Sequence, residues 1–559
     1  MTGVPGRLPW WAAVLVAAAG GYLLDVASPG IAWWPASFLG AALVFAAVWQ
    51  RSWRTGLLTG AVAGAAFWLP HVSWLTLYLG PIPWLGLCGL MILWFALFGV
   101  AVAVMSTGLA QTPVLAARPW LLLAAQSLAA AGLWVLREQV QGAWPYGGYP
   151  WGRLAHMQSG APFADLVSWL GFAGLSGLIA LICAVPVAAA GALRGGVRDR
   201  GRSRTPTRTR SLVVGGLVGV AAVIGLAFVP PALLQTTGEL RVAAVQGNSK
   251  SGIFDDRESG DVLDDHVEAT EHLLDRLEAD GETVDVIVWP ENSAEFDLPN
   301  NPLAKQRIAK LSQRAGAPIV LGTILVNDDG SYTNSSLVWG PEGAEPSAEN
   351  PTRYDKRYPV PFAEYMPNRE FFHLLVPDLV DLVQLEYSPG ELPAVVEVET
   401  PVGPVRAGLA ICFDIIFDTQ AVAMVDDGAE VIFAQTNNAD FGRTDESAQQ
   451  LAIARLRALE TGRALVNIST VGTSAVIGQG GEELAALEPH TADAMVATVP
   501  LVTGQTPAMI LGSTVAAIWG LLGIAGLAVG CATLLKRRTA AKSDGPDASA
   551  DRTVSRDAA

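Results

Sequence analysis

The stretch WLGLCGLMILWFALFGVAVAVMS, residues 84–106, runs for 23 residues without one charged side chain. A helix rises about 1.5 Å per residue, so about 20 apolar residues cross the roughly 30 Å hydrocarbon core of a bilayer. The stretch therefore reads as a membrane span. Similar runs lie at 10–27, 31–50, 55–77, 119–137, 162–193, 211–234 and 508–535, making eight expected spans. The run at 162–193 is long enough to hold an interfacial turn as well. The first run is read as a span rather than a signal peptide, because further spans follow it and no small-residue cleavage site is evident. A mean hydropathy of +0.36 agrees with a chain that is partly embedded in lipid.

Lysine and arginine orient these spans. With the N-terminus inside, the inside segments are 1–9, 51–54, 107–118, 194–210 and 536–559. They carry Arg7, Arg51, Arg54, Arg118, seven arginines between Arg194 and Arg210, and Lys536, Arg537 and Arg538. The short outside loops carry few cations, Arg153 being the main exception. This is the positive-inside pattern. Seven crossings then place residues 236–507 on the outer face, and an eighth returns the chain to the cytoplasm. The expected domains are 1–235, 236–507, 508–535 and a disordered, Ser- and Asp-rich tail at 536–559. A net charge of −16 argues against nucleic acid as a partner.

Residues 236–507 have a different character. ELRVAAVQG (239–247), VDVIVWPE (284–291), PIVLGTI (318–324), SSLVWG (335–340), VRAGLAICFD (405–414) and AEVIFAQTNN (429–438) read as strands. Residues 259–279, 306–316 and 445–462 have helical periodicity, and ALVNIST and SAVIG follow as strands. Continuous Val/Ile/Leu strands separated by helices imply an α/β domain whose strands are buried on both faces. Polar residues stand where strands end: Glu291, Cys412, Asn437 and Asn438. In open α/β sheets, strand ends line the ligand crevice. Lys356 lies in a Pro- and Tyr-rich loop, with Glu364 eight residues later.

Of four cysteines, Cys88, Cys183 and Cys531 fall within expected spans, and only Cys412 lies in the α/β domain. It has no disulfide partner there, and no Cys/His cluster lies nearby for zinc. Two alternatives stand: a buried structural thiol or a nucleophile. A nucleophilic thiol needs a base or a cationic neighbour. A buried glutamate can serve as the base. A lysine can hold both the thiolate and the oxyanion of an acyl intermediate. One Glu, one Lys and one Cys therefore suffice for acyl transfer.

WPENS around Glu291, YDKRYPVPFAEYMP around Lys356 and ICFD around Cys412 resemble, in that order, the nitrilase (carbon–nitrogen hydrolase) superfamily. With the eight spans, the whole arrangement resembles the bacterial apolipoprotein N-acyltransferase family, as do VQGN (245–248), NNADFG (437–442) and ARLRALETGRALVNISTVGTSAVI (454–477). The resemblance implies a polytopic α-helical membrane domain plus an extracytoplasmic αββα sandwich. It implies a Glu291–Lys356–Cys412 triad in which Glu291 is the base, Cys412 carries the acyl group, and Lys356 with the backbone N–H of Phe413 forms the oxyanion hole. Glu364 would orient Lys356 or relay protons, with Phe413, Asp414 and Asn437 in support. The implied partners are a phospholipid donor and a diacylglyceryl-lipoprotein acceptor, with no metal or other cofactor. The implied location is the plasma membrane, both termini cytoplasmic and the protein monomeric.

Arg137 stands at a position where the family would meet a lipid phosphate. Trp144, Tyr146, Tyr149 and Trp151 form an aromatic outer loop, read either as an interfacial belt or as an acyl platform. Gln246, Asn438 and Phe441 join them as candidate lipid contacts. REFFHLLVPDLVDLVQL (369–385) is read either as a core helix or as a mobile lid. The chain departs from the better-known proteobacterial pattern at Phe413 and Asp414, where Tyr and Glu are usual, and at Asp440, where Trp is usual; these changes bear on lipid selectivity. Two other readings remain: a membrane-anchored amidase with water as the acceptor, and a non-catalytic lipoprotein-binding protein or transporter. A transporter would place ionisable groups within its spans. Here Asp25, His71 and Asp165 are the few candidates, and Asp25 and Asp165 lie near span ends.

Overall fold

The computed structural model describes residues 9–196, 225–252, 255–340 and 352–543. Among these, five helices are long and apolar enough to cross a membrane: Trp10–Ala27, Pro81–Ala110, Pro119–Gln141, Ala164–Ala192 and Pro507–Ala540. Trp53–His71 makes a sixth if it is joined to Ser73–Leu79, from which it is bent by 59°. The bend follows Pro70, which cannot donate to the helix ladder. Two expected spans differ. The run at 31–50 is a 14-residue helix, Pro35–Val48, opened by proline and shorter than a bilayer crossing. The run at 211–234 lies mostly outside the described residues. Small residues let the helices approach: a Cβ on Gly20 would lie 2.9 Å from the Gly40 carbonyl oxygen. The last helix continues to Ser543, so residues 536–543, expected to be disordered, are helical.

Among the described residues the α/β portion holds twelve strands in two six-stranded sheets. One has the order β12-β1-β2-β3-β4-β5 and the other β11-β10-β9-β8-β7-β6, where β6 is Val395–Thr400, β9 Leu465–Ser469, β10 Ser474–Ile477, β11 Glu483–Leu487 and β12 Asp493–Val502. The strands that position the site are β1 (Thr236–Gln246), β2 (Val286–Val288), β3 (Ile319–Val326), β4 (Tyr332–Trp339), β5 (Arg353–Asp355), β7 (Gly403–Ile411) and β8 (Val431–Thr436). Alternation along the strands builds the layers. Val242, Ala244, Val286 and Val288 join the core shared with the second sheet. Their neighbours Ala243, Val245, Ile287 and Trp289 pack with the helices Asp261–Asp280 and Pro302–Ala315. Both faces are buried, which is why the strands read as continuous apolar runs. The sequence-expected αββα sandwich is thus present.

Three expected elements have different limits. The 284–291 strand is confined to Val286–Val288, and the 335–340 strand begins earlier, at Tyr332. The 405–414 strand stops at Ile411, because Cys412 takes a left-handed φ of +49° and opens a 3₁₀ turn, Cys412–Ile416. The 369–385 segment is not a single core helix. Pro377 divides it into Arg369–Leu375 and Pro377–Val380, leaving Phe371, Leu374, Leu375 and Leu382 exposed.

Candidate active site

Glu291 follows β2 on a loop that lies flat against β3. Gly322 allows this: a Cβ there would come within 2.5 Å of the Asn292 nitrogen. The Gly322 N–H donates to the Pro290 carbonyl at 3.2 Å. Lys356 follows β5, and its backbone N–H donates to Asn334 of β4 at 2.8 Å. Its Nζ reaches Glu291 Oε1 at 3.1 Å and Glu364 Oε1 at 2.9 Å. Asn334 Nδ2 donates to the same two oxygens, at 2.7 and 3.2 Å. Glu364 Oε2 accepts from the Val360 N–H at 2.6 Å. A buried carboxylate, Glu291, and a half-buried one, Glu364, thus share one ammonium and one amide.

Cys412 stands at the end of β7. Asp414 ties its turn to the lysine loop: Oδ2 accepts from Ile411 N–H at 3.0 Å and from Tyr354 Oη at 2.7 Å, while Oδ1 accepts from Tyr358 N–H at 2.9 Å. Tyr354 and Tyr358 lie two residues on either side of Lys356, so one carboxylate fixes the cysteine turn against both flanks of the lysine. Being one methylene shorter than glutamate, Asp414 still makes these bonds directly. Gln450 Nε2 donates to Cys412 Sγ at 3.7 Å. Asn438 orients that amide. Its Nδ2 donates to Gln450 Oε1 and Glu446 Oε2, and its Oδ1 accepts from Thr436 and Ser469 hydroxyls.

The electrostatics follow from burial. Burial raises Glu291 above the usual carboxylate range, and Lys356 pulls it back. Burial opposes the charge of Lys356, but Glu291 and Glu364 hold it well above the usual lysine range. The Cys412 thiol is pushed up by burial and then by Glu291, with Lys356 acting in the opposite direction. At rest the sulfur keeps its proton. Among the described residues no group of three or more His, Cys, Asp or Glu could hold a metal.

The remaining sequence candidates divide. Tyr149 stacks on Phe413 at 6.2 Å and on Trp151 at 5.8 Å, which brings the aromatic loop to the cysteine turn. Tyr146 meets Phe362 at 5.5 Å and accepts from Asn368, beside the 369–385 segment. Trp144 is exposed at the rim against Trp94, and Phe441 packs on Trp74. Several other candidates for lipid contact are held by partners within the fold. Arg137 is buried within the bundle over Phe95 and Trp134 and bonds Gln141. Trp151 is buried, its Nε1 donating to Gln449. The Gln246 amide bonds the Glu488 and Thr491 carbonyls and accepts from Ser474. Asn438 is buried and positions Gln450. Asn437 bonds Ser251, so it does not support the triad directly.

Sequence reasoning missed Asn334, which stands one residue before the strand as read. It also missed the buried polar residues of the Glu446–Thr461 helix: Glu446, Gln449, Gln450, Arg457 and Glu460. Polar residues on the otherwise apolar face of that helix were the available signal. Gln449 docks to the bundle, donating to the His71 carbonyl and accepting from Trp74 and Trp151. Arg457 bonds the Ile415 and Ile416 carbonyls directly behind the cysteine turn. It also pairs with Glu460 and Asp418, and Arg153, at the far end of the aromatic loop, grips the same Asp418 at 2.8 Å.

Two family descriptions match: the apolipoprotein N-acyltransferase N-terminal domain over residues 20–185 and the carbon-nitrogen hydrolase over residues 241–507. An apolipoprotein N-acyltransferase of Mycolicibacterium smegmatis is 31% identical over 542 residues, 94% of this chain and 86% of the relative. The chain belongs to the apolipoprotein N-acyltransferase family. A member from Vibrio cholerae is 26% identical, over 94% of this chain and 97% of its own length. A crystal structure of a carbon-nitrogen hydrolase from Helicobacter pylori G27 has 18% identity and a TM-score of 0.34, covering 51% of this chain and 94% of that one. The family membership accounts for the order of domains: long apolar helices, then the hydrolase sandwich, then a final apolar helix.

Proposed function

We propose that the protein transfers a fatty acyl chain from a phospholipid, through a Cys412 thioester, to the α-amino group of an N-terminal diacylglyceryl-cysteine. The observation that carries the reading is the convergence of Glu291, Lys356 and Cys412 next to an aromatic loop of the apolar helix bundle. Glu291 takes the thiol proton, and the sulfur attacks the donor ester. Lys356 and the Phe413 N–H receive the oxyanion, while Glu364 and Asn334 hold the lysine and the base in register. The proton then passes from Glu291 to the departing lysophospholipid. In the second step the acceptor amine attacks the thioester. Lipid substrates present their reactive groups at headgroup depth, which suits a nucleophile mounted on a helix bundle. The positive-inside pattern supports an extracytoplasmic sandwich, cytoplasmic termini and a plasma-membrane location.

The test is the intact mass of detergent-purified protein after incubation with phospholipid. Wild type gains one hydroxylamine-labile acyl mass and Cys412→Ala gains none. A diacylated lipopeptide then discharges the adduct and emerges N-acylated. Discharge by water at the same rate would assign the protein to the amidases. Lipopeptide acylation by Cys412→Ala would refute the reading.

A further inference from the structure

Beyond the triad, one carboxylate at the site has no role in the first step. Glu446 opens the helix that carries Gln450 and is 4% exposed. Its Oε2 accepts from Asn438 at 2.7 Å, and no cation pairs with it among the described residues. Burial pushes its carboxyl up to about 8, with Glu291 adding to the effect. Glu446 acts electrostatically on Cys412 and on Tyr149. The second observation is Tyr149 itself. Its ring stacks on Phe413, next to the nucleophile, while its buried Oη has no hydrogen-bond partner among the described residues. Glu446 is tied to the cysteine through Asn438 and Gln450, and Tyr149 through Phe413, so a hydroxyl without a partner and a carboxylate without a cation form a site for a group that donates several hydrogen bonds and carries positive charge.

We propose that Glu446, with Tyr149, receives the α-ammonium of the acceptor and takes its first proton, so that Glu446 is a catalytic residue of the second half-reaction only. This rests on the acyl-enzyme reading above. The proton balance demands such a group. The acceptor nitrogen arrives with three protons, and the amide keeps one. One is lost before the lone pair can attack, and one as the C–N bond forms and the C–S bond breaks. The departing sulfur takes back a single proton, by way of Glu291. The other must leave the site, and Glu446 hands it to water. A free α-amine ordinarily titrates near 7.7–8.0, so transfer to a carboxylate held near 8 is close to balanced. An ordinary surface carboxylate would be too weak a base. Glu291, Lys356 and Glu364 also act on Cys412, and Asp445 immediately precedes Glu446 at the start of its helix. His71 faces the same helix turn through its backbone carbonyl, and His71 itself lies 3.4 Å from Asp25.

The experiment separates the half-reactions in full-length, detergent-purified protein. Glu446→Gln keeps an acceptor for Asn438 and is compared with Glu446→Asp. Acyl-enzyme formation from phospholipid is read by intact mass. Discharge is then timed with a diacylated lipopeptide and, separately, with hydroxylamine, which is uncharged at neutral pH and has no proton to shed first. Glu446→Gln is expected to acylate within about threefold of wild type and to react normally with hydroxylamine. It should discharge to the lipopeptide at least ~10-fold more slowly at pH 7, the lower end of the general-base range being about 10²-fold, with recovery as the pH rises above the amine's own titration. Glu446→Asp recovers part of the rate. Lipopeptide discharge at the wild-type rate overturns the proposal. So does an equal loss with hydroxylamine, or a slow discharge with no pH dependence, since each marks a structural role. Absence of an adduct on wild type instead refutes the acyl-enzyme reading itself.

Discussion

Asn334 holds the proposed base in its charged form, and removing it should move the pH profile of acylation. In Asn334→Ala, Glu291 Oε1 loses a 2.7 Å bond from Nδ2 and Glu364 Oε1 loses one at 3.2 Å. Bonds to a carboxylate contribute about 1.5–3 kcal/mol, and one pKa unit corresponds to about 1.4 kcal/mol. Lys356 remains against both oxygens and takes up part of the loss, so a rise of about one unit is expected for Glu291. The sign follows directly: the donor favours the ionised form, its loss raises the pKa, and the base form is then present only at higher pH. Asn334 Oδ1 has no partner, so the alanine strands no donor on that side. The assay is the first-order rate of acyl-Cys412 formation from phospholipid against pH, by intact mass. The acidic limb should move up by about one pH unit while the plateau at high pH changes little. An unmoved limb in a folded variant would refute the assignment of Asn334, and a plateau lowered at every pH would mean that it acts only through geometry.

Lys356→Met should remove acylation by at least ~10²-fold, because the oxyanion loses its cation and Glu291 and Glu364 are left facing each other; Lys356→Arg should not restore it, since a planar fork cannot occupy a point-charge site. Asp418→Asn leaves Arg153 without its carboxylate and Arg457 with Glu460 alone, and should cost about 1.5–3 kcal/mol, the worth of a hydrogen bond to a charged group, read as a lowered unfolding temperature in detergent. Burial opposes the Asp418 charge, but the two arginines hold its carboxyl well below the usual range. Its stabilising contribution is therefore present above the unfolded value of about 3.9 and is lost as the pH falls below it, so wild type and Asp418→Asn should converge in acid. Phe371→Ser with Leu374→Ser, at exposed positions of the divided 369–385 segment, should slow acylation by phospholipid but leave alkylation of Cys412 by a small soluble reagent unchanged; equal effects on both would remove the lid role.

Much of this molecule was legible without coordinates, and the reasons are local. Bilayer thickness sets the length of an apolar run, as at Pro81–Ala110, and double-sided burial makes strands such as β3 and β8 continuous in Val, Ile and Leu. Glu291, Lys356 and Cys412 stand out because each interrupts an apolar or loop pattern at a strand end. Tertiary structure alone decided what each polar group faces. Asn334 stood just before the strand read at 335–340 and carried no mark of a role until the Lys356 loop was laid over it. Asn438 and Gln246 looked like ligands until their amides were found paired within the fold. The Glu446–Thr461 helix could be read as amphipathic, but not that its polar first turn would meet the bundle through Gln449 and the thiol through Gln450. Burial and hydrogen-bond partners are long-range quantities, set by which surfaces meet, and no spacing along one chain encodes them.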